Sequence, residues 1–173
     1  GYAYPQFMKY LDPSFGEPSA ILWDGSIAEG FAGGTGTESD PYSIQTAEQL
    51  AFLASSVNSG TTYQGKYIKL ENDIELNDNS VKYWILKATP WTLIGKSVWE
   101  CQFRGNFDGG GHSVKGIYID GLSYQGLFGY VGNGGTVSNI GVEASYIKGT
   151  NSVGGVVGYN NGTATNSYNT GTV

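Results

Sequence analysis

The sequence is poor in cysteine, histidine and charge, and each shortage excludes a class of protein. Cys101 is the only cysteine among 173 residues, so no disulfide can form within the chain and a disulfide-stapled scaffold is excluded. Only 14% of the residues are charged and the net charge is −6, which leaves no basic face for nucleic acid. No apolar run is long enough to span a bilayer, so we predict no membrane insertion within this segment.

The residues that are abundant indicate many short strands. The chain has 28 glycines and 13 tyrosines, and it is also rich in asparagine, serine and threonine. That mixture is typical of strands joined by tight turns, and it predicts an all-β protein. We predict that residues 1–22 are an N-terminal extension or the end of a preceding unit, and that residues 23–173 form one domain. Because the sequence stops inside a repeat, we expect the chain to be a fragment of a longer protein.

One helix is predicted, over about residues 46–58. Thr46 is a good N-cap, and Gln49 three residues later completes a capping box. Apolar residues then follow at helical spacing, and Gly60 ends the pattern; they are Leu50, Leu53, Ala54 and Val57. A single helix before a series of strands predicts a lid that covers the open end of the sheet.

The strand region contains an internal repeat. The sequence QGLFGY at Gln125–Tyr130 returns as GGVVGY at Gly154–Tyr159. In a second alignment, Val114–Ile119 matches Val137–Val142 and then Ala164–Asn169, at spacings of 23 and 27 residues by subtraction of the first positions. Such short periods indicate a β-solenoid rather than a propeller.

The alignment also places Gly116, Asn139 and Asn166 at equivalent corners, where left-handed backbone is expected. The Tyr130 ring is predicted to pack against the next coil.

These motifs resemble a known family. Gly126–Val142 and Val153–Gly171 look like tandem GLUG-type repeats of bacterial surface proteins, which also flank IgA-cleaving metallopeptidases. The upstream segments Gly33–Leu76 and Phe103–Ile119 resemble the region that precedes such repeats, so the likeness covers about residues 23–173. The resemblance implies a right-handed parallel β-helix in an exported protein, with no catalytic residues. The zinc signature HExxH is absent, and His112 is the only histidine.

An aromatic cluster offers a weak candidate for ligand binding. Tyr83, Trp84 and Trp99 stand among polar residues, and sugars stack on exposed aromatic rings. Large aromatic side chains are more often core or cap residues, and Trp91 in WTLIG is predicted to be buried. Both interpretations stay open for Tyr83, Trp84 and Trp99.

The densest set of oxygen ligands is a second candidate. Asp73, Glu75 and Asp78 stand among asparagines, and calcium binds such oxygens. The run lacks the glycine and the terminal glutamate of an EF-hand, and its alternation is also what a half-exposed strand produces. Calcium is therefore the weaker interpretation, and no cofactor is predicted.

Enzyme chemistry is the rival to a binding function. Parallel β-helices include polysaccharide lyases and hydrolases, whose chemistry needs clustered carboxylates or a basic residue beside them. Arg104, Asp108, His112 and Lys115 are close in sequence, but no partner from a second coil is visible.

The sequence therefore favours a non-catalytic structural or adhesive module at the bacterial cell surface or outside the cell, joined to other domains. It is expected to present loops to a host protein or a glycan. The alternatives are a β-helix polysaccharide lyase or hydrolase, and a glycan-binding module attached to an enzyme.

Overall fold

The computed structural model describes residues 22–80 and 83–173, which are built mostly of short β-strands. The strands are β1 (Tyr42–Ile44), β2 (Tyr67–Leu70), β3 (Ile74–Glu75), β4 (Asn106–Asp108), β5 (Ser113–Lys115), β6 (Tyr118–Asp120), β7 (Ser123–Gln125), β8 (Phe128–Val131), β9 (Thr136–Ser138), β10 (Gly141–Glu143), β11 (Tyr146–Lys148), β12 (Asn151–Val153), β13 (Val157–Asn160), β14 (Thr163–Thr165) and β15 (Tyr168–Asn169). The helix α1 spans Ala47–Asn58, and 3-10 turns span Trp84–Leu86 and Trp99–Cys101. Nearly all of the predicted extension, residues 1–21, lies outside the described residues.

The strands named above pair in parallel, each with strands from earlier or later in the chain. The largest sheet has the order β1-β2-β4-β9-β14, and a second has the order β3-β5-β10-β15. Three further pairs, β6-β11, β7-β12 and β8-β13, follow the same chain order. Parallel strands cannot be joined by tight hairpins, so the chain travels around before each strand meets its partner. The fold is therefore mostly β and solenoid-like, as the composition and the repeat predict.

The register corrects one predicted spacing. Val114 pairs with Val142, 28 residues on by subtraction, and not with Val137. Val137 instead pairs with Phe107 on one side and with Ala164 on the other, so the predicted spacing of 27 residues is confirmed and that of 23 is wrong. The mistake has a physical origin. Four residues separate β4 from β5 and only two separate β9 from β10, and aliphatic Val137 takes the place of aromatic Phe107.

Buried apolar side chains form columns through the stack. Val114 lies over Val142 and Ile119 lies over Ile147, and all four are almost completely buried. The Phe128 ring packs against those of Phe103 and Phe107, with 5.1 Å between ring centroids in both pairs. The hydrophobic effect acts on every coil at the same positions, because stacked coils present the same face to the interior. The predicted burial of Trp91 is confirmed, at 5% exposure.

Left-handed corners also recur in columns. Gly116 (φ 70°) lies one residue after Lys115, and Ala144 (φ 45°) lies one residue after its partner Glu143. Asn139 (φ 55°) and Asn166 (φ 47°) form another column, in which the Asn166 Nδ2 donates to Asn139 Oδ1 at 3.3 Å. The predicted left-handed backbone is confirmed at residues 116, 139 and 166. The predicted equivalence is wrong for Gly116, which shares its column with Ala144.

The predicted helix is confirmed, but its N-terminal cap differs from the predicted capping box. Thr46 Oγ1 accepts a hydrogen bond from the Gln49 N–H at 3.4 Å, as an N-cap does. The Gln49 side chain reaches back to the Gln45 N–H at 2.7 Å instead of to that of Thr46. The four apolar residues that carried the prediction are buried in the common core. The role of α1 as a lid stays a prediction. In the described part of the chain, no helix has the length and apolar character needed to cross a membrane.

Candidate binding surfaces

Two of the three predicted aromatic residues join a larger aromatic cleft. Trp84 stands edge-on to the Tyr118 ring, with 6.5 Å between centroids, and Tyr118 stacks on Tyr146 at 6.0 Å. Tyr118 and Tyr146 are register partners in β6 and β11, so the coil repeat itself aligns their rings. The cleft has a volume of about 400 Å³ and is lined by Trp84 and Tyr146 together with Tyr83, Asn79, Ala144 and Thr172, while Tyr118 contacts the rings of Trp84 and Tyr146. It is an open groove in which aromatic faces and polar groups meet, a combination that small-molecule sites use.

Charged side chains stand on the same two strands as the cleft. Lys148 Nζ lies 3.2 Å from Asp120 Oδ2, at the ends of β11 and β6. The hydrogen bond to Asp120 raises the pKa of Lys148 above its usual value, with the carboxylate charge adding to the effect. Both side chains are exposed, so the pair contributes little to stability, and it places charge on the two strands that carry Tyr118 and Tyr146.

Trp99 lies apart from the cleft. It belongs to the segment between Ile94 and Phe103, two residues that form bridges to Phe128 and Val131 of β8. Its ring is 63% exposed, but the Arg104 guanidinium lies 3.3 Å from the ring centroid in a cation–π contact. One face of Trp99 is therefore occupied by a side chain of the same protein. The structure places the three predicted ligand-binding residues at two separate locations.

The four residues considered for polysaccharide chemistry each have a separate partner. Arg104 is buried, where its Nη2 donates to Gln102 Oε1 at 2.8 Å. Asp108 Oδ1 accepts from Asn139 Nδ2 at 2.9 Å, in line with the column of asparagine corners. Lys115 Nζ lies 3.6 Å from Glu143, and His112 Nδ1 lies 3.2 Å from Asp73 Oδ1. These contacts connect coils and turns to one another. They do not bring the four residues together into one site.

The calcium candidates are also held separately. Asp73 Oδ1 accepts from the Ser113 N–H at 3.0 Å, and this bond is the main reason that the pKa of Asp73 is lowered. Asp78 Oδ1 accepts from both the N–H and the hydroxyl of Ser80. Glu75 is exposed at the end of β3. Across residues 22–80 and 83–173, no three His, Cys, Asp or Glu side chains come close enough to hold a metal ion.

A second aromatic surface was not predicted as a site. Tyr130 and Tyr159 stack with 4.6 Å between ring centroids, and Tyr124 stands edge-on to both at 5.8 Å. We call these three residues the tyrosine platform. Burial raises the pKa of Tyr130, and the neighbouring Tyr159 and Tyr124 add to the effect. The echo of QGLFGY in GGVVGY contained the signal, because it put Tyr130 and Tyr159 at one position of successive coils.

Comparison with known proteins places the chain beside parts of much larger molecules. It is 32% identical over 152 residues to halomucin of Haloquadratum walsbyi, covering 87% of this chain but 2% of halomucin. It is 34% identical over 120 residues to a "Putative Gly-rich membrane protein" of Evansella cellulosilytica, covering 68% of this chain and 12% of that protein. No family profile matches the sequence.

Among solved structures, the fold is similar to that of a "putative immunoglobulin A1 protease" from Bacteroides ovatus. The TM-score is 0.57 at 22% identity, and the match covers 82% of this chain and 40% of that one. At this identity the likeness concerns the fold alone.

Proposed function

We propose that the chain is a non-catalytic structural and adhesive module of a cell-surface or secreted protein. In this proposal it is a short right-handed parallel β-helix of the GLUG-repeat kind, and it presents its outer surface to a host protein or a glycan. The observation that carries the proposal is the alignment of aromatic rings from successive coils, Tyr118 with Tyr146 and Tyr130 with Tyr159, of which Tyr159 is exposed and the other three are half-buried.

The register supports a rigid presenting surface. Backbone hydrogen bonds between parallel strands fix the distance between coils at about 4.8 Å, and side chains at paired positions inherit that spacing. A surface ordered in the free protein loses little conformational entropy when it binds, so its contacts contribute more of their energy to affinity. Tyrosine suits such a surface because its large ring has few rotatable bonds.

The family and location rest on two lines of support. The repeats resemble GLUG-type sequences, which flank IgA-cleaving metallopeptidases, and the fold is similar to part of a chain named a "putative immunoglobulin A1 protease". The relative from Evansella cellulosilytica is named as a membrane protein, which agrees with a position at the cell surface.

The test is a binding assay of the full 173-residue chain on arrayed glycans and extracellular host proteins. We expect saturable binding that falls at least about tenfold in the double variant Tyr146→Ala/Tyr159→Ala, since each change removes one stacked ring. Tyr168→Ala is the control, because Tyr168 is an exposed ring outside both stacked pairs. Turnover of a polysaccharide that is lost in Asp108→Ala would instead establish the enzyme alternative.

A second candidate function is an accessory module of a larger enzyme. It is favoured by the size of the structural neighbour, of which this chain matches 40%. The parent reading frame tests it directly. A catalytic domain encoded in the same frame supports the accessory role, whereas wall-anchoring or further repeat segments alone support the adhesive one.

A further inference from the structure

We infer that the tyrosine platform binds an uncharged glycan chain. This inference rests on the proposed adhesive function and names its ligand class and site. It concerns Tyr124, Tyr130 and Tyr159, and not the aromatic cleft around Trp84. The two surfaces differ in their surroundings, and that difference identifies the ligand.

The platform is a fixed arrangement of rings. Tyr130 and Tyr159 are register partners in β8 and β13, so the spacing of their rings follows from backbone pairing. Tyr124 sits at a left-handed corner (φ 61°), from which its ring stands edge-on to both of the others. Tyr159 is 41% exposed, so part of its ring is accessible to a ligand. Fixed, exposed rings offer stacking contact without a cost of ordering them.

Charge is absent from the segments that form this surface. Residues 121–142 and 149–173 contain no Asp, Glu, Lys, Arg or His. These segments contribute β7, β8, β12 and β13, on which the platform stands. The charged residues of the same coils, Lys115, Asp120, Glu143 and Lys148, all belong to β5, β6, β10 and β11. Charge is therefore segregated, and the aromatic cleft lies on the charged strands while the platform does not.

The charged side chains near the edge of the tyrosine platform create no strong electrostatic potential there. Arg104 is the cation whose charge reaches Tyr130, and it is buried and engaged by Trp99 and Gln102. The segment that carries Trp99 also holds Lys96 and Glu100, which are of opposite sign. An acidic polysaccharide would meet no accessible cluster of cations here, and the net charge of −6 would repel it.

A neutral sugar fits the groups that are present. The C–H face of a pyranose ring is apolar and packs on an aromatic ring, while its hydroxyls bond to phenol and amide groups. The polar groups of the platform are the phenol hydroxyls of its three tyrosines. A protein partner normally needs an apolar centre within about 1,600 Å² of interface. The platform is instead three phenols on segments without charge.

The experiment compares neutral and acidic polysaccharides as probes of the full chain. Affinity electrophoresis in gels that contain laminarin, galactomannan, alginate or polygalacturonate gives a dissociation constant for each. We expect retardation by at least one neutral polymer and none by the acidic ones. Tyr159→Ala should weaken that binding about tenfold, and Tyr159→Phe should keep most of it, since the ring remains. Tyr168→Ala, an exposed tyrosine of the same coil whose hydroxyl donates to Glu143, should bind like the parent chain.

Three results would overturn the inference. They are binding of acidic polymers only, neutral binding that Tyr159→Ala leaves unchanged, and binding to proteins but to no glycan. Each of them leaves adhesion, and so the proposed function, intact. Different results would overturn the proposed function. They are a parent chain that binds no arrayed ligand of any class, and a parent chain that catalyses cleavage of a polymer. Circular dichroism of each variant confirms that a loss of binding is not a loss of fold.

Discussion

Tyr130 and Tyr159 are partners in the parallel register of β8 and β13, and their rings stack 4.6 Å apart on the outside of the coils. Two residues before Tyr130, the Phe128 ring is fully buried between Phe103 and Phe107. One strand thus contributes a ring to the core and a ring to the surface. The same backbone pairing orders both, so stability and presentation of the outer surface depend on the same register.

The first prediction separates the two roles of β8. Phe128→Ala should lower the free energy of unfolding by about 3–5 kcal/mol, because it removes a buried ring and leaves a cavity. Tyr159→Ala should cost about 1 kcal/mol or less, because its ring is exposed and loses only an outer stacking contact. Urea titration followed by circular dichroism measures both. Equal costs for the two variants would contradict the assignment of Tyr159 to the surface.

The second prediction concerns the buried side chain of Asn77. Its Nδ2 donates to Gly116 O at 2.8 Å and to Thr89 O at 3.0 Å, and its Oδ1 accepts from the Thr89 N–H at 2.7 Å. Asn77→Ala leaves these backbone groups without a partner, and we expect a loss of about 1–3 kcal/mol. The control is Asn79→Ala, which removes one long, exposed contact and should cost under about 0.5 kcal/mol. Thermal unfolding measures the stability of both variants. An Asn77→Ala variant as stable as the parent chain would show that these hydrogen bonds do not stabilise the fold.

The sequence predicts the repeat more reliably than its register. The helix signal at Thr46–Val57 and the apolar pattern of Ile117 and Ile119 are local, so they could be found without the structure. Pairing Val114 with Val142 depends on how many residues each corner consumes. The corner after Asp108 takes four and the one after Ser138 takes two. The number of residues in a corner is set by the path of the backbone. An alignment that compares side chains therefore cannot reveal it.

The candidate surfaces show the same limit. Tyr83 and Trp84 could be singled out because they stand together in the sequence. Their partners Tyr118 and Tyr146 are 28 residues apart by subtraction and meet only through the pairing of β6 and β11. Trp99 was a candidate because it is a large aromatic residue among polar ones. Its contact with Arg104 could not be predicted, because it depends on how the segment between Ile94 and Phe103 folds back.

The third prediction concerns acid stability. The Ser113 N–H lowers the pKa of the Asp73 carboxyl from its ordinary value of 3.8, with His112 and the more distant Lys115 acting in the same direction. Because the folded state favours the ionised form, this stabilisation is fully present above the unfolded value and is lost as pH falls through the folded value. The side chain is exposed, so the contribution is under about 1 kcal/mol.

The measurement is the melting temperature between about pH 6 and about pH 3. Asp73→Asn should lower it near neutral pH and reduce its fall on acidification, so the two proteins converge in acid. Parallel curves for the variant and the parent chain would show that another carboxyl controls this transition.

The last prediction concerns the corner column of Gly116 and Ala144. Both have left-handed backbone, which an L-residue adopts at a cost of about 1 kcal/mol, so Ala144→Gly should stabilise the fold by up to about that amount. Gly116→Ala should destabilise it by more, because the added Cβ would lie 2.4 Å from Asn77 O. Urea titration of both variants shows whether each change raises or lowers the free energy of unfolding. Ala144 is exposed, so its methyl group contributes little packing, and a destabilised Ala144→Gly would contradict the strained corner and, with it, the coil register that places the two residues together.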